Sequence, residues 1–579
     1  MQDLGSDESP DEVPVLIVGG GPAGLSAALC LARMGVPCVL AESHTEVGRL
    51  PRATGVRTRT MELLREWGLE SQVRQHALPG FGEIAWCHSL SGEEFGRLAI
   101  SPDEADSANR RSVSPTSVAW CPQDVVEPAL LDAVREQPLV DLRMGTRVSD
   151  VVQDATRVSA TLTSSADGTR RKVHARYLLA CDGASSPIRR SLQIGMAGLD
   201  LAISFVNIYF EADLRPWAGP APAAIYWVIN SGSSGALVTL DGRDRWYVTV
   251  LPRTTDVRLD DDWCTETVRD IVGVADLPVK VLDARPWTMK AEVAEKFRDG
   301  RIFLVGDAAH RFPPTGGFGM NSSIQDAHNL AWKIVGVYHG WAPLSLLDSY
   351  ESERRPIALL NSERSAENML LMSETGLGSE VYAFADQLEK DGEQADTLRA
   401  RIRAAIPGQS VQFDALPQDI GFRYHRGALV AEPASNTQPI NETAPFVPDG
   451  AVGSRAPHHV LTRDGYDIST LDLFGDGFVV LAAEEGDGWL AGANAAAAER
   501  SIPLSAFRIG AGADLRDPSG AWHKTAGVGL SGACLIRPDG HVAWRTSRRA
   551  PADASATMGR IFDAVLAPFE VAIGSIAED

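Results

Sequence analysis

Residues 301–340 read RIFLVGDAAHRFPPTGGFGMNSSIQDAHNLAWKIVGVYHG. The apolar run from Ile302 to Val305 predicts a short strand, and a Gly-Asp turn and a loop rich in proline and glycine follow it. An S-x-x-Q capping box formed by Ser322 and Gln325 predicts the start of a helix, and Gly340 is a suitable end. The stretch therefore predicts a strand, a loop and a helix in that order.

The start of this predicted helix suits an electron-rich ligand. Its first backbone N–H groups have no intrahelical partners and carry the positive end of the helix dipole. Gly316, Gly317 and Gly319 place no side chain in the way of a flat group. Asp307, just past the strand, could accept hydrogen bonds from a polyol, so a flavin ring with its ribityl chain would fit. The alternative is an ordinary strand–loop–helix crossover.

A second glycine-rich turn lies near the N-terminus. An apolar strand pattern at 13–18 runs into GGGPAG at 19–24, a helix follows, and a second strand pattern ends at Glu42. This arrangement predicts a dinucleotide site, because the helix start faces a pyrophosphate and the acid accepts from ribose hydroxyls. Glu42 would repel a 2′-phosphate, which favours FAD or NAD over NADP. The alternative is a purely structural turn. The candidate contacts are Gly19, Gly21, Pro22, Ala23, Gly24 and Glu42.

Composition limits the possible classes of protein. With 579 residues the chain should have two to four domains. A formal net charge of −22 argues against binding to nucleic acid or anionic membranes, and no stretch is apolar enough to predict a membrane span. The seven cysteines include no C-x-x-C pair, which indicates a reducing compartment and no metal site. We therefore expect a cytoplasmic protein; the acidic N-terminal residues also do not form a signal peptide.

The stretch GDAAHRFPPTGGFGMNSSIQDAHNLAWK, residues 306–333, resembles the second FAD-binding motif of the single-component flavin-dependent aromatic hydroxylases. The resemblance implies that the Asp binds the ribityl chain and that loop amides hold the pyrimidine end of the flavin. Pro313 and Pro314 would form a rigid wall without N–H donors. The amides from Gly319 to Asn321 would favour the anionic reduced flavin. The implied FAD contacts here are Gly306, Asp307, Gly317, Gly319, Met320 and Asn321, and the implied catalytic residues are Pro313, Pro314, Gly319 and Asn321.

Three further segments resemble motifs of the same family. In RLPRATGVRTRTMELLREWG, residues 49–68, Arg52 and Arg59 are candidates to approach the FAD pyrophosphate, although either could be a surface charge. Thr54 stands where phenol hydroxylase-like members have an active-site Asp, which puts carboxylate assistance in doubt. Gln123, at a predicted helix start, matches a glutamine that contacts FAD. Asp182 and Arg189 in DGASSPIR match a motif that serves FAD and the nicotinamide cofactor, with a structural turn as the alternative.

Period-two apolar patterns between 201 and 252 predict an antiparallel sheet with a hairpin at Asp241-Gly242. We expect its concave face to roof the flavin, and residues 80–118, polar and irregular, to lean to this substrate side. Candidate substrate contacts are Tyr226, Trp227, Trp246 and Trp287, although aromatic residues in strands are more often part of a core.

The sequence predicts an α/β chain of several parts. A Rossmann-like FAD-binding domain would comprise 1–186 and 288–405, where charged helices end near Ala405, and the substrate domain would comprise 187–287. Residues 406–450 predict an irregular linker or docking segment. Residues 451–579 resemble the thioredoxin-like domain of phenol hydroxylases and aromatic polyketide hydroxylases. Because Cys534 is its sole cysteine, we expect packing rather than thiol exchange.

The resemblance implies that NADPH or NADH reduces non-covalently bound FAD. O₂ then adds at flavin C4a, and the hydroperoxide transfers one oxygen to an aromatic ring. The expected substrate is a small phenol or a polycyclic aromatic polyketide, and the expected state is a monomer or homodimer without nucleic acid or membrane partners. Two alternatives stay open: epoxidation or Baeyer–Villiger-type insertion on the same fold, and a flavin-binding subunit without turnover.

Overall fold

The computed structural model describes residues 11–48, 50, 53–78, 82–100, 104–199, 201, 203–254, 258–413, 415–432 and 446–569, with the side chains of 104–108 left out. The strands are β1 (Asp11–Val18), β2 (Cys38–Ala41), β3 (Gly55–Val56), β4 (Glu83–Cys87), β5 (Glu94–Ala99), β6 (Ala119–Trp120), β7 (Val140–Arg143), β8 (Thr146–Gln153), β9 (Val158–Ser164), β10 (Arg170–Ala180), β11 (Met196–Leu199), β12 (Ser204–Glu211), β13 (Ile225–Val228), β14 (Gly235–Thr239), β15 (Arg245–Val250), β16 (Lys280–Thr288), β17 (Ala291–Ala294), β18 (Arg298–Asp299), β19 (Ile302–Leu304), β20 (His310–Arg311), β21 (Val460–Arg463), β22 (Tyr466–Ser469), β23 (Phe478–Ala482), β24 (Leu504–Arg508), β25 (Ala533–Ile536) and β26 (Val542–Thr546).

The helices lie between and after these strands. They are α1 (Pro22–Arg33), α2 (Thr58–Glu66), α3 (Glu70–His76), α4 (Glu104–Val113), α5 (Gln123–Arg135), α6 (Pro187–Ser191), α7 (Arg215–Ala218), α8 (Asp261–Val272), α9 (Gly319–His339), α10 (Ser349–Met372), α11 (Val381–Leu388), α12 (Glu393–Ala405), α13 (Ser410–Phe413), α14 (Leu416–Ile420), α15 (Asp487–Glu499), α16 (Trp522–Thr525) and α17 (Ala554–Leu566). Among the described helices, none combines the length and the apolar character needed to cross a membrane.

The first sheet has a parallel centre. Its strand order is β18-β19-β10-β1-β2-β7, with β1 parallel to both β2 and β10, and β10 parallel to β19. Val18 lies opposite Ala41 on β2 and opposite Ala180 on β10, and Ala180 lies opposite Leu304 on β19. Because these parallel strands end level with one another, the segments that follow them meet at one edge, which is where such sheets bind ligands.

The second sheet has the strand order β16-β12-β15-β14-β13-β4-β5. Its neighbouring strands are antiparallel except for β13 and β4, and the Asp241-Gly242 turn joins β14 to β15 as expected. The expectation that residues 80–118 are irregular is wrong, because this segment supplies β4, β5 and α4. In β4, Ile84 and Trp86 are buried on one face and Ala85 and Cys87 on the other. The strand therefore lacks the polar alternation that marks a half-exposed strand.

Different helices cover the two faces of this second sheet. Helix α8 covers one face with Cys264, Val268 and Ile271, and we call this the outer face. Helices α11 and α12 pack on part of the opposite face through Val381 and Ile402, and we call this the inner face.

The C-terminal domain contains a four-stranded sheet in the order β24-β23-β25-β26. Strands β23 and β24 are parallel and joined by α15, β25 and β26 are antiparallel, and α17 packs on α15. This is a thioredoxin-like order, as the sequence predicts.

The thiol of Cys534 is buried and donates to the carbonyl of Leu481, and burial raises the pKa of Cys534 to about 12. A reactive thiolate is therefore not formed there.

Where the structure describes residues 406–450, predicted as an irregular linker or docking segment, the chain is docked and only partly irregular. Helices α13 and α14 lie in it, and Leu416, Ile420, Phe422 and Tyr424 are buried. Residues 433–445 lie outside the described residues. This segment is packed against the rest of the protein rather than spanning between domains.

The predicted capping box at Ser322 and Gln325 is also wrong. Helix α9 begins at Gly319 with Phe318 as its N-cap residue and no side-chain cap, and it ends at Gly340 as expected. The Ser322 hydroxyl is buried inside the first turn and accepts a hydrogen bond from Asn361 Nδ2 at 3.0 Å. The same sequence pattern therefore serves helix packing here.

Candidate active site

Four predicted site segments meet at the carboxyl edge of the first sheet. Gly19 follows β1, Glu42 follows β2, Asp182 lies two residues past β10, and Asp307 lies three residues past β19. The level strand ends bring these segments together although nearly 300 residues separate the first from the last.

The first glycine loop is closed on one side and open on the other. Gly21 is the N-cap of α1, and Pro22 and Ala23 begin its first turn. A Cβ on Gly24 would lie 1.9 Å from the Gly19 carbonyl oxygen, so only glycine permits this contact. A Cβ on Gly21 would meet no described atom within 4 Å. The open side leaves room for a phosphate at the helix start.

Glu42 lies directly beside this loop. Its Oε2 accepts a hydrogen bond from the backbone N–H of Gly20 at 2.6 Å, and its Oε1 accepts one from the N–H of His44 at 2.7 Å. Although burial raises it, these hydrogen bonds lower the pKa of Glu42 below its usual value. The loop therefore has an ionised acceptor at its side, which is the group that ribose hydroxyls require.

Asp182 follows β10 in a turn that Gly183 makes with φ +81°. Its Oδ2 accepts a hydrogen bond from Ile188 N–H at 3.2 Å, so Asp182 does cap the turn. Its Oδ1 is buried and has no hydrogen-bond partner among the described residues. A buried acceptor in that state is costly unless a ligand supplies a donor.

Arg189 joins the Asp182 turn to the Asp307 turn. Its Nη1 donates to the carbonyl of Ala308 at 3.0 Å, and the side chain is 5% exposed. Asp307 itself is exposed on the short 3₁₀ turn Gly306–Ala308. The two motifs that were predicted separately thus form one structural unit.

The loop before α9 presents backbone rather than side chains. Cβ atoms on Gly317 and Gly319 would meet no described atom within 4 Å. The N–H groups of Gly319 to Asn321 lie in the first turn of α9, where intrahelical partners are lacking. Pro313 is buried and Pro314 is exposed, and Met320 is buried. The open space beside Gly317 and Gly319 and the N–H groups at the start of α9 are therefore next to each other.

The Asn321 side chain has a bracing role that its sequence position does not reveal. Its Nδ2 donates to the carbonyls of Gly317 at 2.7 Å and Gly55 at 3.0 Å, and its Oδ1 accepts from Arg57 N–H at 2.9 Å. The side chain therefore ties the glycine loop to β3, and its backbone N–H is the group left for a ligand.

Arg57, directly after β3, contacts this loop and is a residue that the sequence analysis missed. Its guanidinium donates to the carbonyls of Gly316 and Gln412 and lies 4.5 Å from the centroid of the Phe318 ring. These contacts hold the conformation of the loop before α9. The arginine-rich run at 52–59 signals such a role, but spacing alone does not distinguish its members.

The neighbouring candidates are placed differently. Arg59 is buried, pairs with Glu62 at 2.9 Å and donates to the Asp539 carbonyl at 2.8 Å, so it faces the C-terminal domain and not the glycine loop. The prediction that Arg59 contacts the FAD pyrophosphate is therefore wrong. Arg52 lies outside the described residues. Gln123 opens α5 as expected and donates to Glu127 at 2.5 Å.

The four predicted substrate contacts divide between the two faces of the second sheet. Trp227 packs on the inner face. Trp287 lies on the same face, because it is paired with Phe205 of β12, whose side chain points away from the outer face. Tyr226 and Trp246 are buried on the outer face beneath α8. The prediction of Tyr226 and Trp246 as substrate contacts is therefore wrong. Successive residues of a strand point to opposite faces, and these two point into the core beneath α8.

The inner face also carries polar residues that the sequence analysis missed. The Phe205 and Trp287 rings stack at 5.0 Å, and Asn207 Oδ1 accepts from Trp287 Nε1 at 2.8 Å and from Thr249 Oγ1 at 2.7 Å. Tyr247 is partly exposed and its hydroxyl lies beside the side chain of Thr54, and burial raises the pKa of Tyr247 above its usual range. The face therefore reaches the segment that Asn321 braces.

These features fit FAD. The open sides of Gly21, Gly317 and Gly319 can accept its phosphates and ring, and the buried Asp182 Oδ1 and the carboxylate of Glu42 are acceptors for its hydroxyls. The fold and the site define an FAD-binding oxidoreductase.

Comparison with known proteins gives the family. Residues 12–365 match the model of an FAD binding domain, and residues 449–565 match that of an aromatic-ring hydroxylase C-terminal domain. The chain is 37% identical to the tetracenomycin A2 monooxygenase-dioxygenase of Streptomyces glaucescens over 96% of this chain and 98% of that protein. It is also 37% identical to a putative polyketide hydroxylase of Streptomyces halstedii, over 93% and 94%. The flavin-dependent monooxygenase PieE, solved with FAD and substrate, superposes with a TM-score of 0.87 at 32% identity, covering 96% of this chain and all of that one.

The chain belongs to the family of FAD-dependent aromatic hydroxylases. The α/β fold class, the enzyme class and the FAD cofactor predicted from sequence are thereby confirmed. The reaction of the family uses O₂ and a nicotinamide reductant, and its substrates are small aromatic or polyketide molecules.

Proposed function

We propose that this enzyme hydroxylates a phenolic polycyclic aromatic substrate, of the aromatic polyketide class, against the inner face of the second sheet. The observation that carries this proposal is the aromatic wall formed by Phe205, Trp287 and Tyr247, with the amide of Asn207 set into it. A fused ring system can stack along such a wall, and its oxygens can pair with the polar groups. The putative polyketide hydroxylase among its relatives supports the same class.

Tyr247 is the residue best placed to orient a phenolic oxygen. Burial raises its pKa, so its hydroxyl stays neutral at physiological pH and can both donate and accept. Thr54 lies beside this hydroxyl and is placed to orient it. Because Thr54 replaces a carboxylate, we propose that this site holds the phenol by neutral hydrogen bonds and not by carboxylate assistance.

The cofactor contacts follow from the edge geometry. We propose that the first glycine loop and Glu42 hold the adenosine half of FAD, and that Asp182, Arg189 and Asp307 hold its central chain. The helix-start amides of Gly319 to Asn321 would stabilise negative charge at the ring. FAD, when bound, accepts a hydride from NADPH or NADH and activates O₂. The chain's own residues orient the partners, and the buried Pro313 helps to exclude water.

We further propose a cytoplasmic monomer or homodimer. Light scattering of the purified chain distinguishes the two masses, and a larger assembly would contradict this part of the proposal.

The substrate class is tested by NADPH and NADH oxidation in the presence of three- and four-ring phenols and of single-ring phenols. A polycyclic phenol should raise the rate at least tenfold, a change of about 1.4 kcal/mol in barrier, and yield a hydroxylated product by mass spectrometry. Stimulation by single-ring phenols alone would contradict the proposal. A product carrying an epoxide or a ring-inserted oxygen would establish one of the alternative oxygenase reactions instead.

A further inference from the structure

A chain of buried polar side chains connects the Asp307 turn to the C-terminal domain. Each member is at most 3% exposed, and the side chains come from α9, α10, the segment after α14 and the β25–β26 hairpin. We call it the buried polar chain. Its members are Asp326, Arg354, Tyr424, Asn329, Lys333, Glu353, Arg537 and Asp539.

At the cofactor end, Asp326 holds both sides of the Asp307 turn. It accepts hydrogen bonds from the backbone N–H of Gly306 at 3.3 Å and from His310 Nε2 at 2.7 Å. Arg354 Nε donates to its other oxygen at 2.6 Å. Gly306 and His310 flank Asp307, so the position of Asp326 determines how that carboxylate is presented.

In the middle, the hydroxyl of Tyr424 joins two helices. It accepts from Arg354 Nη1 at 3.2 Å and from Asn329 Nδ2 at 3.4 Å. Asn329 Nδ2 also donates to Glu353 Oε2 on α10 at 2.7 Å.

At the far end, the C-terminal domain supplies the partner of Glu353. Arg537 donates to both oxygens of Glu353, at 2.8 and 2.9 Å, and also pairs with Asp539. Lys333 donates to Glu353 at 2.7 Å. Without Arg537, the Glu353 carboxylate would keep a single cation in a fully buried site.

The charges of the chain balance. Asp326, Glu353 and Asp539 are matched by Lys333, Arg354 and Arg537. Although burial raises it, Arg537 and Lys333 lower the pKa of Glu353 to about 2, so it stays ionised at neutral pH. Buried ion pairs add little net stability compared with an apolar core, but they hold their partners in one geometry. Such a chain is therefore better suited to positioning than to stabilising.

We propose that the C-terminal domain positions the Asp307 turn for FAD through the buried polar chain, with Arg537 at one end and Asp326 at the other. These are positioning residues and do not contact the reacting atoms. The inference rests on the proposed contact between Asp307 and FAD and does not depend on the substrate class proposed above.

The test is Tyr424→Phe, which removes one hydroxyl and keeps the ring. The apoprotein of this variant should bind FAD about tenfold more weakly, and the amides of residues 306–309 should exchange hydrogen at least threefold faster, while the circular dichroism spectrum is unchanged. Arg537→Lys keeps the charge but loses the two-oxygen contact, and it should give the same pair of effects. It also covers the case in which the Tyr424 variant does not fold.

The matched control is Arg65→Gln. Arg65 on α2 also bridges to the C-terminal domain, donating to Asp472 at 2.8 and 3.0 Å, but outside the buried polar chain. Its FAD affinity and its exchange at 306–309 should stay within twofold of wild type. Wild-type affinity and exchange in folded Tyr424→Phe or Arg537→Lys would overturn the proposal. An equal loss in Arg65→Gln would also overturn it, because general domain contact would then be the cause.

Discussion

The side-chain oxygen of Asn321 accepts a hydrogen bond from the backbone N–H of Arg57 at 2.9 Å, across 264 residues of sequence. Asn321 stands in the first turn of α9 and Arg57 directly after β3. This contact joins the glycine loop, whose amides we propose for the flavin ring, to the segment whose Thr54 lies beside Tyr247. The glycine loop and the inner face of the second sheet are therefore held together by this segment.

Asn321→Ala should destabilise the apoprotein by about 2–4 kcal/mol, since it leaves the buried Arg57 N–H and the carbonyls of Gly55 and Gly317 without this partner. Urea unfolding measures the change. The control is Gln325→Ala, at the position wrongly predicted to cap α9, and it should stay within about 0.5 kcal/mol of wild type. Equal stability of the two variants would show that the bracing contacts carry no weight.

Asp307→Ala should weaken FAD binding by about 1.5–3 kcal/mol, because it removes a charge-assisted hydrogen bond to the ribityl chain. FAD retained through gel filtration and titration of apoprotein measure the loss, and the FAD should leave wild type on denaturation. Asp276→Ala, at an exposed site on the loop after α8, is the control. Full FAD retention in Asp307→Ala would mean that the ribityl chain is held elsewhere.

Trp287→Ala should lower kcat/KM for the aromatic substrate about tenfold or more, because the stack with Phe205 and the hydrogen bond to Asn207 are lost. FAD content should not change. Tyr226→Phe alters an aromatic residue of the same sheet on its outer face, and its kcat/KM should match wild type. If the Tyr226 variant loses activity and the Trp287 variant does not, the faces have been assigned the wrong way round.

His458 should make the fold sensitive to mild acid. Burial, with Arg455 nearby, lowers the pKa of His458 from 6.5 to about 4, while its Nδ1 contacts Ser469 Oγ at 2.7 Å. Between these pH values the unfolded chain binds a proton that the folded chain does not, so the free energy of unfolding falls as pH falls.

As the pH falls from 6.5 towards 4, the free energy of unfolding of wild type should therefore decrease by up to about 1.4 kcal/mol per pH unit more than that of His458→Gln. Urea unfolding at pH 7, 6 and 5 measures the two slopes, with His76→Gln, at an exposed site, as the control. Parallel slopes for wild type and His458→Gln would contradict the assignment.

Local sequence patterns were sufficient for the parts of the fold that depend on short stretches. The strand-to-glycine turns at Gly19, Asp182 and Asp307 follow from apolar runs that end in small residues, and the structure has β1, β10 and β19 there. The end of α9 at Gly340 follows from its left-handed conformation, φ +81°.

Features that depend on distant partners could not be read in this way. Tyr226 and Trp227 point to opposite faces because successive residues of a strand alternate, but nothing in their strand says that α8 covers the face with Tyr226. The pairing of Glu353 with Arg537 spans 184 residues, and a sequence shows both only as ordinary charges. Their burial, which gives the pair its importance, comes from the packing of the C-terminal domain.

The source of the oxygen in the product tests the proposed hydroxylation directly. The enzyme is incubated with NADPH, the phenol that stimulates NADPH oxidation most, and ¹⁸O₂ in ordinary water. Each new hydroxyl should carry one ¹⁸O atom, and no product should form without the reductant. A product whose new oxygen comes from water, or one formed equally without NADPH or NADH, would contradict the proposed hydroxylation.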